Sequence, residues 1–320
     1  MEFVLLNRLT KNRFYNLEKS GLFQQYLRHI NGLRSKKTSQ KLEYIKKSAL
    51  DEKAKISITC AGKRDGGGAQ LHACISTIVF ANSMGIRYHH TPLIKVEHNY
   101  NNDPLWEAKW ENYLDLTNLY SPRLNNQDYL FVDNYHSIVD KIYEAITSKN
   151  DLNIRVLYCH GYSDGHPQEF VDVLDNIRDH FFLRRNPQLV YSPFDFNIAI
   201  HMRRGDVTIN RWTERYTSSQ CIQALINHLR FYFRKARPRF YIFSYSDDDD
   251  LKILEDEDVR LFVDMNVFSV MDHLAYADCL VMAKSSMSYV AGMLNRGLVL
   301  YQPFWSVCLP HWFRADGFFV

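Results

Sequence analysis

Two adjacent arginines follow directly on an apolar stretch in the segment IAIHMRRGDV (198–207). If that stretch is a β-strand, Arg203 and Arg204 come at its carboxyl end, which is the edge where open α/β sheets bind ligands. A guanidinium group presents a rigid fork that suits a diphosphate, so the leaving group of a sugar nucleotide is a natural ligand. The simpler alternative is an ion pair with Asp206. We favour binding, because an ion pair requires neither the glycine nor the strand end.

A second segment that could hold phosphate is KSSMS (284–288), between a predicted strand and a helix that begins near Ser288. Hydroxyls and free backbone N–H groups at a helix start form a cradle for an anion. Ordinary N-capping by serine explains the same residues equally simply. Taken alone, this segment is therefore weak evidence for a phosphate site.

The acidic run in FSYSDDDD (243–250) also follows a predicted strand. Carboxylates are favoured at a helix N-terminus, so Asp247–Asp250 can be plain caps. Four carboxylates also raise the idea of a magnesium site. Consecutive side chains point in different directions, however, and the sequence offers no complementary set of oxygen ligands.

The glycine segment GGGAQ (66–70) matches neither GxxxxGK[ST] nor GxGxxG, which argues against P-loop and dinucleotide sites. Three glycines still permit close backbone approach to a ligand or to an opposing domain. A flexible turn remains an equal alternative.

The elements that would position these segments alternate between strands and helices. In the first half we predict helices over 1–50, then strand Ile56–Cys60, loop Ala61–Gln70, helix Leu71–Met84, strands Ile86–His89 and Arg155–His160, and helix Gln168–Phe182. Residues 93–150 are left unassigned, and 183–196 reads as a linker because of its two prolines.

The alternation restarts after this linker. We predict strands Asn197–Met202, Phe240–Ser244, Val259–Val263, Cys279–Met282 and Gly297–Tyr301, separated by helices Ser218–Phe233, Leu251–Glu255, Val270–Ala277 and Ser288–Asn295. On the first of these strands, Ile198, Ile200 and Met202 share one face. The order predicts an α/β protein with two facing Rossmann-type domains and parallel, doubly wound sheets. The expected divisions are a basic helical extension at 1–55 and domains at 56–185 and 186–320.

Composition limits the partners. The 320 residues carry a net charge of only +3, which gives no argument for nucleic acid. Residues 1–55 hold 13 Lys and Arg against 5 Asp and Glu. This basic arm is compatible with an anionic membrane surface or a partner, but a solvated helical face is the simpler interpretation and the one we favour.

The start of the chain, MEFVLLNRLTKNRF, is not a signal peptide by pattern, and no apolar run is long enough to span a membrane. Together these features predict a cytoplasmic location. The six cysteines form no CxxC pair, and most lie in apolar surroundings, so we expect buried free thiols rather than disulfides or zinc ligands.

Taken together, these segments resemble the alpha-1,2-fucosyltransferase family, within the fucosyltransferases that share an HxRRxD motif. IHMRRGD resembles the donor-binding motif at every defined position, and IFSYSDD resembles FSDD with Tyr245 interposed. KSSMSYVAGML resembles an NSSFSWWGA-type segment, GGGAQLHA a GGLGNQ-type loop, and CHGYSDGHPQEF a GYFQ segment with an insertion. Order and spacing agree over about residues 56–301.

The resemblance implies a metal-independent, inverting glycosyltransferase of the GT-B fold that moves fucose from GDP-fucose to a glycan hydroxyl. It implies that Arg203 neutralises the leaving diphosphate, with His201 and Asp206 contacting the donor or fixing the loop. The remaining donor-binding positions that it implies are Gly67, Gly68, Arg204, Asp247, Asp248, Asp272, Ser285, Ser286 and Ser288.

The reaction also needs a group that takes the proton of the acceptor hydroxyl. Asp206, Asp65, His160 and His166 are all candidates by residue type. Some relatives carry a catalytic carboxylate shortly after the arginine motif. The resemblance therefore favours Glu214 as the proton acceptor.

Two alternatives stay open. The first keeps the fold but uses another nucleotide sugar, or a protein acceptor as in protein O-fucosyltransferases. The second is a catalytically inactive protein that binds a sugar nucleotide or a glycan.

Overall fold

A computed structural model describes residues 21–48, 55–123, 128–245 and 249–315, the side chains of 21–34 and Asp249 excepted. The chain divides into two compact units. One comprises Met1–Ile56 and Asp133–Leu152, and the other Ser57–Val132 and Asn153–Val320. The expected domain boundaries divide the chain by its two sheets, whereas these units divide it by compactness. The boundaries therefore stay predictions.

The helices are α1 (Gly21–Ser48), α2 (Gly67–Met84), α3 (Trp106–Leu114), α4 (Leu116–Leu119), α5 (Tyr135–Ser148), α6 (His160–Ser163), α7 (Phe170–Arg184), α8 (Ser219–Tyr232), α9 (Asp249–Lys252), α10 (Val267–Tyr276) and α11 (Ser286–Leu294). Single 3₁₀ turns occur at Pro167–Glu169 and Thr213–Arg215.

The strands are β1 (Ile56–Cys60), β2 (Asp65–Gly66), β3 (Arg87–Tyr88), β4 (Val96–Glu97), β5 (Leu130–Phe131), β6 (Leu152–Val156), β7 (Phe196–Met202), β8 (Pro238–Ser244), β9 (Val259–Val263), β10 (Cys279–Val281), β11 (Leu298–Tyr301) and β12 (Phe313–Arg314).

In the first unit, α1 packs against α5. Thr38 Oγ1 lies 2.8 Å from His136 Nδ1, and Lys41 Nζ forms an ion pair of 2.7 Å with Asp140. Helix α5 begins where the Asn134 side chain accepts a hydrogen bond from Ser137 N, a typical N-cap. The predicted helix at 1–50 is therefore confirmed over α1, while residues 1–20 lie outside the described part.

The second unit contains two main sheets and a two-stranded parallel pair, β2 with β4. The smaller has the order β3-β1-β6-β5, with β1 parallel to β3 and β5 parallel to β6. The larger has the order β12-β11-β10-β7-β8-β9, and its pairings are all parallel. The predicted α/β class with two parallel sheets is confirmed. The two sheets meet through α2 and α11, where the His72 and Tyr289 rings lie 4.6 Å apart.

The larger sheet buries one face under α8. Ile198, Ile200 and Met202 form that face of β7, as their alternation predicts, and they belong to one core cluster with Ile222 and Leu225 of α8. Burying each such side chain contributes about 1.5–3 kcal/mol. The N-cap Ser218 accepts a hydrogen bond from Cys221 N and thereby fixes where α8 begins.

Several predicted bounds need correction. The strand expected at 155–160 is Leu152–Val156, because the chain turns after it into α6, where Asp164 N donates to His160 O. Helix α2 begins at Gly67, inside the expected loop. The unassigned residues 93–150 contain α3, α4 and α5, and β12 adds a sixth strand to the five predicted in the second half.

The six cysteines are free thiols, as the sequence predicts. Burial raises the pKa of Cys159 and of Cys279 to about 12, so both stay protonated at neutral pH. Among the described helices, none has the length and apolar character needed to cross a membrane.

Candidate functional site

The two segments rich in phosphate-binding residues flank the point where the strand order of the larger sheet reverses. In chain order its strands run 3-2-1-4-5-6, and β7 and β10 are the adjacent central pair, with Ile198 opposite Cys279 and Ile200 opposite Val281. Ligands of open α/β sheets bind outside the carboxyl ends of such a pair. Arg203 follows β7 and Ser285 follows β10, so the fold brings both segments to one crevice.

Arg203 presents its fork to Asp206. Its Nε and Nη2 donate to the two carboxylate oxygens at 3.2 and 2.6 Å, and its side chain is 20% exposed. Burial alone would raise the pKa of Asp206, but the hydrogen bonds and charge of Arg203 outweigh it and lower that pKa. The ion pair that the sequence offers as the simpler alternative therefore exists, at the end of β7. Binding of a diphosphate by Arg203 stays a prediction.

Gly205 makes the turn between these two residues possible. Its φ of +80° is in the left-handed region, and a Cβ there would come within 2.6 Å of the Tyr245 ring. Tyr245 in turn stacks on Tyr100, with ring centroids 5.7 Å apart. Burial, followed by the charge of Asp206, raises the pKa of Tyr100, which places this tyrosine beside the ion pair. No motif in the unassigned residues 93–150 indicated Tyr100.

Arg204, which the resemblance implies as a donor-binding position, is enclosed by protein contacts. It is 5% exposed, donates to Thr217 O at 2.8 Å, and lies 4.2 Å from the Tyr216 ring and 3.6 Å from Asp250. These contacts fix the loop that follows Arg203. Donor binding by Arg204 stays a prediction.

His201 lies near the end of β7, on the strand face that it shares with Arg203. Its ring is 8% exposed, and its Nδ1 has no hydrogen-bond partner within the described chain. Burial, and then the charge of Arg203, lower the pKa of His201 to about 3. The imidazole is therefore neutral at physiological pH.

The lowered pKa of His201 predicts how the stability of the protein depends on pH. The folded pKa of His201 lies below its unfolded value of about 6.5, so its stabilising contribution is present above about pH 6.5 and is lost as the pH falls toward about 3. Between about pH 6.5 and 4, the urea midpoint of His201→Gln should fall less steeply than that of the wild type. Each pKa unit is worth about 1.4 kcal/mol. Parallel pH profiles would contradict the prediction.

The serine segment forms the start of α11. Ser285 is its N-cap but makes no side-chain capping bond, and Ser288 Oγ accepts a hydrogen bond from Ala283 N at 3.0 Å, in the part of the chain described. Ser285 and Ser286 are 4% and 9% exposed. The helix start is thus uncapped by a side chain, which leaves backbone N–H groups for an anion.

Gly67 and Gly68 are occupied by protein contacts. A Cβ on Gly67 would overlap the Trp110 ring, and one on Gly68 would lie 2.5 Å from Met287 Cα. Gly68 provides the close approach to the opposing part of the protein that the glycines allow, whereas Gly67 packs on Trp110 of its own expected domain. Gly68 thereby sets the position of the N-terminus of α11.

The acidic candidate residues have separate contacts and do not form one cluster. Asp272 is 6% exposed and accepts from Arg185 Nη2 at 2.7 Å and Tyr113 OH at 3.2 Å, which favours a structural role. Asp65 pairs with Lys63 at 2.9 Å. Glu214 is 64% exposed, with its carboxylate 3.7 Å from Arg215 Nε. Asp247 and Asp248 lie outside the described residues.

Arg215 itself lies between two half-exposed indoles that no sequence pattern indicated. Its guanidinium carbon is 4.7 Å from the Trp212 ring and 4.5 Å from the Trp305 ring.

No group of three or more His, Cys, Asp or Glu side chains in the described ranges is arranged to hold a metal ion.

A cavity of about 380 Å³ lies at the opposite, amino edge of the larger sheet. Two of its charged residues, Arg239 and Asp195, pair with each other at 3.4 Å. Because ligands of such sheets bind at the carboxyl edge, we do not place the functional site there.

No protein-family model and no curated protein sequence matches the chain. Similar solved structures include E. coli heptosyltransferase WaaC with ADP-2-deoxy-2-fluoro heptose, at TM-score 0.39 and 13% identity, covering 82% of this chain and 94% of that chain. POFUT1 in complex with GDP gives 0.33 and 12%, covering 77% and 97%. S. aureus MnaA with UDP gives 0.30 and 12%, covering 77% and 79%. At these identities and scores, function must be inferred from this chain's own residues.

Proposed function

We propose that this protein is an inverting glycosyltransferase that needs no metal and moves fucose from GDP-fucose to a hydroxyl of a glycan. The observation that carries the proposal is the fork of Arg203 at the strand-order reversal of the larger sheet, beside the side-chain-uncapped start of α11. An arginine and a helix N-terminus that converge on one crevice suit a diphosphate. The choice of GDP-fucose rests on the resemblance of IHMRRGD to the fucosyltransferase motif.

In this mechanism the donor diphosphate replaces Asp206 as the acceptor for at least one of the guanidinium nitrogens Nε and Nη2 of Arg203. The acceptor oxygen forms a bond to C1 of the sugar while the bond from C1 to the diphosphate oxygen breaks. The electron pair leaves with the nucleoside diphosphate, and Arg203 stabilises the charge that develops there. Asp206 holds the fork in position until the donor arrives.

The other proposed donor contacts follow from the same crevice. Ser285, Ser286 and the backbone at the start of α11 bind the diphosphate, while Ser288 closes the turn from within. The neutral His201 offers its unpartnered Nδ1 to the donor or to the loop. For the proton of the acceptor hydroxyl, the resemblance favours Glu214 among the candidate bases.

The test is a panel of GDP- and UDP-sugars, first by thermal stabilisation and then by transfer of labelled sugar in the presence of EDTA. We expect GDP-fucose to stabilise the protein most strongly, because a ligand that binds only the folded state raises its stability. Transfer should persist in EDTA, since Arg203 rather than a cation neutralises the diphosphate. Activity lost in EDTA and restored by manganese would contradict the mechanism.

The same panel separates the alternatives. A UDP-sugar that stabilises the protein instead would change the donor but keep the reaction. Binding of GDP-fucose without transfer or slow hydrolysis would identify a non-catalytic binding protein.

A further inference from the structure

A second polar cluster lies in the crevice of the smaller sheet. Its two central strands, β1 and β6, are neighbours, and the chain that follows them carries Lys63 on one side and Tyr158 and His160 on the other. His72 projects from α2, the helix that follows β1. The same geometric rule that places a ligand on the larger sheet marks the carboxyl edge of this sheet as a binding crevice.

Ring contacts connect this cluster to the candidate donor site. The His160 ring stacks on Tyr158 at 5.0 Å and lies 4.3 Å from the His72 ring. His72 in turn lies 4.6 Å from Tyr289, which belongs to the first turn of α11. A group bound at His160 is therefore two ring contacts from the helix that starts beside Arg203.

The cluster contains buried polar atoms that lack partners. Within the described residues, His72 Nε2, His160 Nδ1, Ser163 Oγ and Asp164 Oδ1 are buried and make no hydrogen bond. His72 is only 2% exposed. Since a buried unpaired polar group costs about 1–3 kcal/mol, several in one place indicate a ligand that hydrogen-bonds to them.

The electrostatics identify what kind of ligand fits. Burial, with the charge of Lys63, lowers the pKa of His160 to about 4, and burial with the charges of His160 and Lys63 lowers that of His72. Burial raises the pKa of Asp164 to about 6. Lys63 is already paired with Asp65 at 2.9 Å. Two neutral imidazoles and a weakly acidic carboxyl suit neutral hydroxyl groups better than an anion.

We propose that His72, His160, Ser163 and Asp164 bind hydroxyl groups of a neutral saccharide acceptor, and that His160, rather than Glu214, accepts the proton of the attacking hydroxyl. This inference rests on the proposed function. The acceptor proton moves to a ring nitrogen of His160 as the acceptor oxygen bonds to C1 and the diphosphate departs with its electron pair. A neutral imidazole has a free lone pair for this step.

His166, the other histidine of the segment, provides a matched control. Its Nδ1 lies 2.9 Å from Tyr162 O, and its ring stacks on Tyr162 at 4.2 Å. Its Nδ1 is therefore used within the protein, whereas Nδ1 of His160 has no partner within the described residues. Because His160 and His166 share one short segment, the pair separates a chemical role from a local structural one.

The experiment compares His160→Ala, His72→Gln, Glu214→Gln and His166→Gln with the wild type. Thermal unfolding first verifies folding, and His160→Gln replaces His160→Ala if the latter does not fold. Saturation-transfer NMR measures binding of a panel of neutral mono- and disaccharides. Release of GDP from GDP-fucose, with those sugars or water as acceptor, measures turnover, and calorimetry measures GDP affinity.

We expect His160→Ala to lose about 10²-fold or more in turnover at unchanged GDP affinity, and added imidazole to restore part of it. His72→Gln should bind the saccharide about tenfold more weakly. The flexible amide keeps a polar end but loses the ring contacts that hold Nε2 in place. His166→Gln should resemble the wild type. Normal turnover in His160→Ala, collapse in Glu214→Gln, or no saccharide binding to the wild type would each overturn the proposal.

Failure of the proposed function gives a different result. If the wild type neither binds nor cleaves any nucleotide sugar, the role of His160 as proton acceptor falls with it. Saccharide binding to the wild type and its loss in His72→Gln would still establish the saccharide site.

Discussion

Arg203→Ala is expected to lower the turnover of sugar transfer by about 10²-fold or more, because a preorganised charge on the leaving group strengthens as the bond breaks. The fork is held by Asp206 at 3.2 and 2.6 Å, so it needs little reorganisation when the diphosphate arrives. Arg203→Lys should recover only part of the loss, since an ammonium group keeps the charge but loses the two-pronged geometry. Single-turnover kinetics with saturating donor separates this effect from donor affinity.

The control for this substitution is Arg234→Ala. Arg234 is an exposed arginine beyond the end of α8 that donates to Phe231 O at 2.9 Å. Its loss removes the same charge from the chain without touching the crevice, so transfer should stay normal. Near-normal transfer by Arg203→Ala would remove the main support for the proposed reaction.

The part of the site on the larger sheet was predictable because its signals are local. Arg203 directly follows one strand and Ser285 comes after another, so both segments lie at one edge once the sheet is parallel. The alternation of Ile198 and Ile200 identified the face that α8 covers. No knowledge of distant contacts was needed for these features.

Features that depend on contacts distant in sequence were not predictable. The sequence could not distinguish a flexible turn from tight packing at Gly68, because the answer depends on Met287. His160 was assigned to a strand, and its partner His72 lies 88 positions earlier in the chain. The chain gives no periodic pattern that would bring these two rings together.

Arg204 illustrates a different limit. Adjacent arginines look equivalent in a motif, but successive residues at a strand end point in different directions. Arg203 stays 20% exposed at the crevice, whereas Arg204 turns inward to Thr217 O and the Tyr216 ring. Residue type makes the two arginines look alike, and only the local geometry separates their contacts.

Gly68→Ala is expected to destabilise the protein by about 1–3 kcal/mol and to weaken nucleotide binding. The added methyl group would lie 2.5 Å from Met287 Cα and 2.6 Å from Met287 N, so the backbone of α11 must move, and with it the N–H groups proposed to bind the diphosphate. Gly165→Ala is the matched control, because its methyl group would only touch Tyr162 O at 3.4 Å. Urea denaturation measures stability, and calorimetric titration with GDP measures affinity. If Gly68→Ala matched Gly165→Ala in both, the contact between α2 and α11 would not set the geometry of the donor site.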